Sequence, residues 1–230
     1  MIIRLATPRL VVASCDPSDA PAIAEYHRRN AEHHAPWDPP RPAGFETDAW
    51  WADRLTSDAD ERREGRGCRL FLFLRPPADP ADPAAAAAPD IPRGSRGVAV
   101  PVGGVNLSNV VRGAMQGCTL GYSLDRDYVG RGLMTEALRD AVLPFAFAPL
   151  DLPGGSGYGL HRIQAGHVPE NRRSEAVLSR LGFRRIGVAL RYLFIGGAWR
   201  DHVLNELVRQ DAGGPGLRAA PRPPVRGPGG

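Results

Sequence analysis

DYVGRGLMTEAL, Asp127 to Leu138, sets one arginine between two glycines and then passes at once into helix-forming residues. Glycine costs backbone entropy on folding, so a pair at the mouth of a helix implies that something approaches the backbone closely. Helix N-termini carry free N–H groups and partial positive charge, which makes a phosphate the leading candidate. The strand-like Cys118–Leu124 runs into this turn. Successive N–H groups would then converge on one point, with Arg126 and Arg131 close by, and could cradle a pyrophosphate. The turn is not a P-loop, because no Lys-Ser/Thr pair follows, and the six-residue glycine spacing of dinucleotide folds is also absent. A tight turn alone accounts for a G-x-G at a helix start equally well.

About forty residues further on stands HVPENRRSEAVLSRLGF, His167 to Phe183. Asn171 and Ser174 lie three apart on the first turn of a helix, and residues so spaced share a face. An Asn in that place also serves as a helix cap. A strand, glycine turn and helix followed by a strand and Asn-led helix make two adjacent βα units. Their parallel strands should open a crevice at their carboxyl ends, where ligands bind in such sheets.

The remaining chain supplies the frame. PRLVVAS reads as a strand and DPSDAPAIAEYHRRNAEHH as a helix capped by Asp16 or Ser18. FETDAWWADRLTSDADERR reads as a second helix behind Thr47. Strand-like CRLFLFL and GVAVPVGGVNL flank RPPADPADPAAAAAPDIPRGSRG, Arg75–Gly97, which is too rich in Pro and Ala to bury a core and reads as an enlarged loop. GLMTEALRDAVLPFAF is a helix kinked or ended near Pro144. ENRRSEAVLSRLGF is a helix ending on Gly182, and two final strands join at Gly196–Gly197. The expectation is an α/β fold: a mixed sheet of about seven strands with helices on both faces. One domain covers 1–211, with 75–97 as its inserted loop, and 212–230 is a disordered Gly/Pro/Arg tail.

Composition limits the function classes. The 230 residues include 43% hydrophobic and 23% charged, normal for a soluble domain. All 29 basic residues are arginine, and the pI of 9.3 is weighted by the tail. Residues 1–211 hold 26 arginines against 25 acids, a near-neutral body that does not suit a dedicated DNA-binding surface. No apolar run approaches the roughly 20 residues of a membrane span. Cys15, Cys68 and Cys118 lie far apart, without metal-type spacing, which points to no metal, no disulfide framework and a cytoplasmic location.

VVRGAMQGCTLGYSLDRDYVGRGLMTEAL, LHRIQAGHVPENRRSEAVLSRLGF and YLFIGGAWRDHVL, with TPRL and RRNAEHHAPWDPPRP near the start, resemble the GCN5-related N-acetyltransferases. Within them the match is to the RimJ/RimL group, which acetylates N-termini of ribosomal proteins. The resemblance spans nearly all of residues 7–209. It implies acetyl-CoA as co-substrate and splayed parallel strands as the acyl-CoA crevice. Amides from Val129 through Gly130, Arg131 and Gly132 to Leu133 would hold the diphosphate, aided by Arg126. Tyr122, Ser123 and Leu124 would pair with the pantetheine arm, and Asn171 would contact it. The family's Gln or Arg three residues before the first glycine is Asp127 here.

The family tyrosine seven after the helix Asn corresponds to Leu178, so the resemblance moves proton donation to Ser174. A glutamate base falls at Arg191, which cannot accept a proton. Asp201 is taken as the base, with His202, Glu136 or a water relay to solvent as alternatives, and each of the three side chains also has a structural reading. An N–H near Tyr122–Ser123 would hold the oxyanion. The acceptor side is expected from His34, Trp37, Tyr192 and Trp199; the neighbours His33 and His34 point apart and are no metal pair. The implied partner is a protein N-terminus, a ribosomal protein or the ribosome, met by a monomer or weak homodimer with no membrane association. Two alternatives stand beside this reading. One is a small-amine acetyltransferase, and the other is a CoA-binding ribosome-assembly factor without catalysis.

Overall fold

The computed structural model describes residues 2–75, 91, 93–94, 97–149 and 157–209. Most of the Arg75–Gly97 loop and all of the 212–230 tail lie outside them. A two-residue ribbon, β4 (Arg93–Gly94) against β5 (Gly97–Val98), is described within the loop.

The main sheet has eight strands in the order β1-β2-β3-β6-β7-β8-β10-β9. They are β1 (Arg4–Ala6), β2 (Leu10–Ala13), β3 (Cys68–Leu74), β6 (Gly103–Val111), β7 (Gly117–Leu124), β8 (Arg162–His167), β9 (Arg184–Ile195) and β10 (Ala198–Val208). Seven strands were legible as such; the eighth, β1, is a three-residue strand that pairs with β2 and packs Leu5 against the core. Every neighbouring pair is antiparallel except β7 and β8. That one parallel pair is what makes the sheet mixed.

The apolar period of two sorts each strand between two cores. Val11, Ala13, Phe71 and Phe73 pack on one face with Ile23 of α1 (Ala20–Arg29) and Trp51 and Leu55 of α3 (Asp48–Arg63). Leu10, Val12, Leu70 and Leu72 point to the other face. There they meet α4 (Leu133–Ala137), α5 (Leu143–Phe147) and Leu178 of α6 (Arg172–Arg180). Helices thus cover both faces, and Leu70 to Phe73 of β3 form an unbroken apolar run because both sides of that stretch are buried.

Local chemistry sets the ends. Thr47 caps α3 by accepting the N–H of Trp50, and Asp16 forms a capping box with Asp19. Gly196 and Gly197 both have positive φ, 58° and 83°, as a two-residue type I′ hairpin requires. Pro144 does not end its helix. A π-helical turn over Leu138–Val142 lies just ahead of it, and α5 continues through the proline to Phe147. Such a turn re-spaces the backbone bonds where proline lacks an N–H.

One histidine makes this core acid-sensitive. The His27 ring stacks on Trp51 at 4.5 Å and 7°, edge-on to Phe45 and Tyr26. Burial, then the positive charge of Arg41 and the neighbouring His34 and Arg69 side chains, lowers its pKa to about 2. Between the ordinary imidazole value of about 6.5 and that lowered value, the unfolded chain binds a proton that the folded chain refuses. Stability therefore falls with acidification, at about 1.4 kcal/mol per pH unit for a fully formed difference. Chemical denaturation at pH 7 and pH 5 should show a loss of about 2 kcal/mol. His27→Phe, which keeps an aromatic ring and removes the titration, should flatten that loss; an unchanged pH slope would refute the assignment.

Candidate active site

The parallel strands part company early. Pairing between β7 and β8 covers only Gly117↔Arg162, Cys118↔Ile163 and Thr119↔Gln164. Beyond Thr119, β7 runs on to Leu124 and β8 to His167 without each other, so the facing edge of β7 keeps backbone groups free. A groove of about 720 Å³ occupies this divergence. Its walls are the end of β7, the glycine turn, the start of α4 and one face of α6.

The end of β7 is fastened residue by residue to the first helices. Tyr26 Oη meets Ser123 Oγ at 2.9 Å, and His34 Nε2 meets the Leu124 carbonyl at 3.1 Å. Asn30, fully buried, donates to Asp125 at 2.7 Å and accepts from the Arg126 N–H at 3.0 Å. Arg29 adds a 2.6 Å pair to Asp125. Burial alone would raise the Asp125 pKa, but bonds from Asn30, the Asp127 N–H and Arg29 hold it below the ordinary aspartate value. This anion also caps the 3-10 turn Arg126–Tyr128 that leads to the glycines.

Gly130 and Gly132 have φ of 79° and 74°, a region that L side chains avoid. A Cβ at Gly130 would meet no atom within 4 Å, so the space beside it is open groove. Gly132 is the N-cap of α4 and offers no side chain to the first-turn amides. The turn and helix mouth therefore present N–H groups and dipole charge to the groove. Five arginines also line it: Arg9, Arg139, Arg172, Arg173 and Arg180. The lining carboxylates are Asp38 and Glu136. That balance fits a polyanionic ligand.

Opposite the turn, the Tyr122 hydroxyl lies 2.8 Å from Ser174 Oγ and 3.2 Å from the Ser174 carbonyl, with one hydrogen to give to either. Burial pushes the Tyr122 phenol up to about 12, so it stays protonated. When Tyr122 gives that hydrogen to Ser174 Oγ, the Ser174 hydrogen remains available to a third atom in the groove. Asn171 caps α6, its Oδ1 accepting the Ser174 N–H at 3.1 Å. The cap and the shared face are thus realised together.

Residues 9–184 match the family described as "Acetyltransferase (GNAT) domain". The chain belongs to the GNAT acetyltransferases. The enzyme of Escherichia coli strain K12 named [ribosomal protein uS5]-alanine N-acetyltransferase is 34% identical over 209 residues, 91% of this chain and 92% of its own. A ribosomal-protein-S5-alanine acetyltransferase from Vibrio fischeri superposes with a TM-score of 0.72 at 29% identity, covering 92% of this chain and 100% of that one. Mycobacterium smegmatis RimJ, solved in complex with CoA-disulfide, gives 0.69 at 25% identity, covering 91% and 87%.

Acetyl-CoA is accordingly the co-substrate of this GNAT enzyme, and the open space beside Gly130 fits a ligand lying against the turn. Tyr122, Ser123, Leu124, Val129, Gly130, Gly132, Leu133, Asn171, Ser174, His34 and Trp37 all line the one groove. Several expected residues stand elsewhere. The Arg126 side chain is exposed and 3.9 Å from Asp127, which itself points outward. Arg131 lies over the Tyr128 ring at 5.1 Å. Tyr192 and Trp199 are half exposed on the β9–β10 hairpin, against His202 and Phe194 respectively.

Asp201 is a correction to the expected base. Its carboxylate accepts the Arg191 N–H at 2.8 Å, where β9 bulges and Arg191 takes a φ of 47°. It braces the backbone and does not line the groove. Glu136 is likewise committed, with three donors from Thr7 and Arg9. Burial opposes its charge, but those hydrogen bonds win and keep its pKa below the ordinary glutamate value. The three cysteines are buried, and burial raises all three thiol pKa values. None lines the groove, which leaves no thiol there to carry an acyl group. Among the described residues no group of His, Cys, Asp and Glu could hold a metal ion, and no helix is long and apolar enough to cross a membrane.

The groove arginines were not read from the sequence. Arg173 and Arg180 are seven apart, two helical turns, so they share the face of α6 that Ser174 approaches. That spacing was the available signal.

Proposed function

We propose that the chain acetylates the N-terminal α-amine of a protein, and that its acceptor is a ribosomal protein beginning with alanine. The observation that carries this reading is the near full-length match to the E. coli uS5-alanine enzyme. The turn amides would hold the diphosphate and the free edge of β7 the pantetheine arm. Acetyl-CoA supplies the acetyl group as a thioester. The amine forms a bond to the carbonyl carbon, the C–S bond breaks, and the proton lost by the amine balances the thiolate.

An α-amine has a pKa of about 7.7–8.0 against about 10.4 for lysine, so a fair share is neutral near pH 7.5. Such an acceptor needs no strong enzymic base, which suits a groove whose carboxylate Glu136 is already engaged. Ser174, held by Tyr122, would donate a hydrogen bond to the departing sulfur. Trp37, which is exposed, and His34, buried against the Leu124 carbonyl, would line the acceptor path.

The test is thiol release from acetyl-CoA with matched acceptors. An Ala-initiated peptide should turn over, with kcat/KM rising toward pH 8 and then levelling. The same peptide acetylated at its N-terminus but bearing a free lysine should be inert, and small amines should be at least ~100-fold poorer. Preferential turnover of polyamines or amino-sugars would favour the small-amine reading instead.

A further inference from the structure

Arg9 stands on the turn between β1 and β2, more than 120 residues from the glycine turn, and yet it grips both sides of it. Its backbone N–H and its Nε donate to the two oxygens of Glu136, at 2.9 and 2.5 Å. Its Nη1 donates to the carbonyl of Arg131 at 3.0 Å. A Cβ placed on Gly132 would lie 3.7 Å from its Nη2. Thr7 completes the clamp with a 2.7 Å bond to Glu136.

We infer that Arg9 is a positioning residue for the diphosphate-binding turn, an inference that rests on the acetyl-CoA site described above. Gly130 and Gly132 carry no side chains and occupy a region that offers glycine many alternatives. Among the described residues no peptide bond is cis, so the Arg131 carbonyl and the Gly132 N–H share one planar trans unit and point opposite ways. Fixing the carbonyl therefore fixes the amide. The guanidinium fork satisfies the carboxylate and the carbonyl at once, a geometry that an ammonium cannot reproduce. Arg9 itself lines the groove, so its positive charge also faces the anion it helps to place.

The experiment compares acetyl-CoA with acetyl-pantetheine, which has the same thioester and no diphosphate. In Arg9→Gln the KM for acetyl-CoA and the calorimetric Kd for CoA should rise about 10- to 30-fold. The kcat and the KM for the acceptor should stay within about twofold, as should kcat/KM for acetyl-pantetheine. Arg9→Lys should recover less than a third of the lost affinity. Glu136→Gln, which keeps the shape and weakens the grip, should lie between Arg9→Gln and wild type, and serves if Arg9→Gln folds poorly. Equal losses with both donors, full recovery in Arg9→Lys, or unchanged CoA affinity would overturn the inference. Failure of the wild-type chain to bind CoA would instead remove the cofactor assignment beneath it.

Discussion

Ser174→Ala should lower kcat by about 100-fold with little change in the KM for acetyl-CoA. Loss of one well-placed hydrogen bond to charge developing in a transition state costs about 10²–10³ in rate. With Tyr122 donating to Ser174 Oγ at 2.8 Å, the Ser174 hydroxyl keeps its own hydrogen for the departing sulfur. Tyr122→Phe should cost less, about 10-fold, because it removes only the partner that orients Ser174. The double variant should match Ser174→Ala alone, since the phenol acts through the serine and the effects are not additive. The Asn171 cap is untouched in both single variants, so the thermal midpoint should move by only a few degrees. A Tyr122→Phe loss exceeding that of Ser174→Ala would reverse the roles, with the phenol as the direct donor. Rates within twofold of wild type in both would remove this pair from the chemistry.

Much of the frame was legible because it is written in short-range chemistry. Thr47, Asp16, Gly182 and the Gly196–Gly197 pair each mark an element boundary with a residue whose own backbone or side chain enforces it. Asn171 and Ser174 could be placed on one face from helical spacing alone. What escaped depends on contacts distant in sequence. The strand β1 is three residues long and acquires its partner only when the chain doubles back at Thr7–Arg9. The π-helical turn before Pro144 has no local signature that separates it from an ordinary helix. Asp201 carried both a catalytic and a structural reading, and only the bulge opposite it, with Arg191 at positive φ, shows what it holds. Arg126 was assigned to the phosphates by nearness in sequence, whereas Arg9 occupies the groove from the far end of the chain.

Gly130→Val should raise the Kd for CoA by at least about 100-fold, equivalent to about 2.7 kcal/mol. Two effects act together. A β-branched residue at φ near 79° costs roughly 1–3 kcal/mol of backbone strain if the turn keeps its shape. If the turn relaxes, its amides turn away from their common target. The side chain would also stand in the open space where the ligand lies. That openness means the fold itself loses no packing, so the variant should still unfold cooperatively. Gly130→Ala should fall between the two. Undiminished affinity in Gly130→Val would show that the turn is not the phosphate site.

The most direct measurement follows backbone amide resonances of the full chain during titration with CoA, with Gly130→Val as the control. The amides of Val129 to Leu133 and of Tyr122 to Leu124 should show the largest shifts, saturating together at one Kd, and the control should show none at the same ligand concentration. Large shifts confined to the β9–β10 hairpin, or saturation without movement at the turn, would contradict a cofactor held by main-chain amides where β7 and β8 diverge.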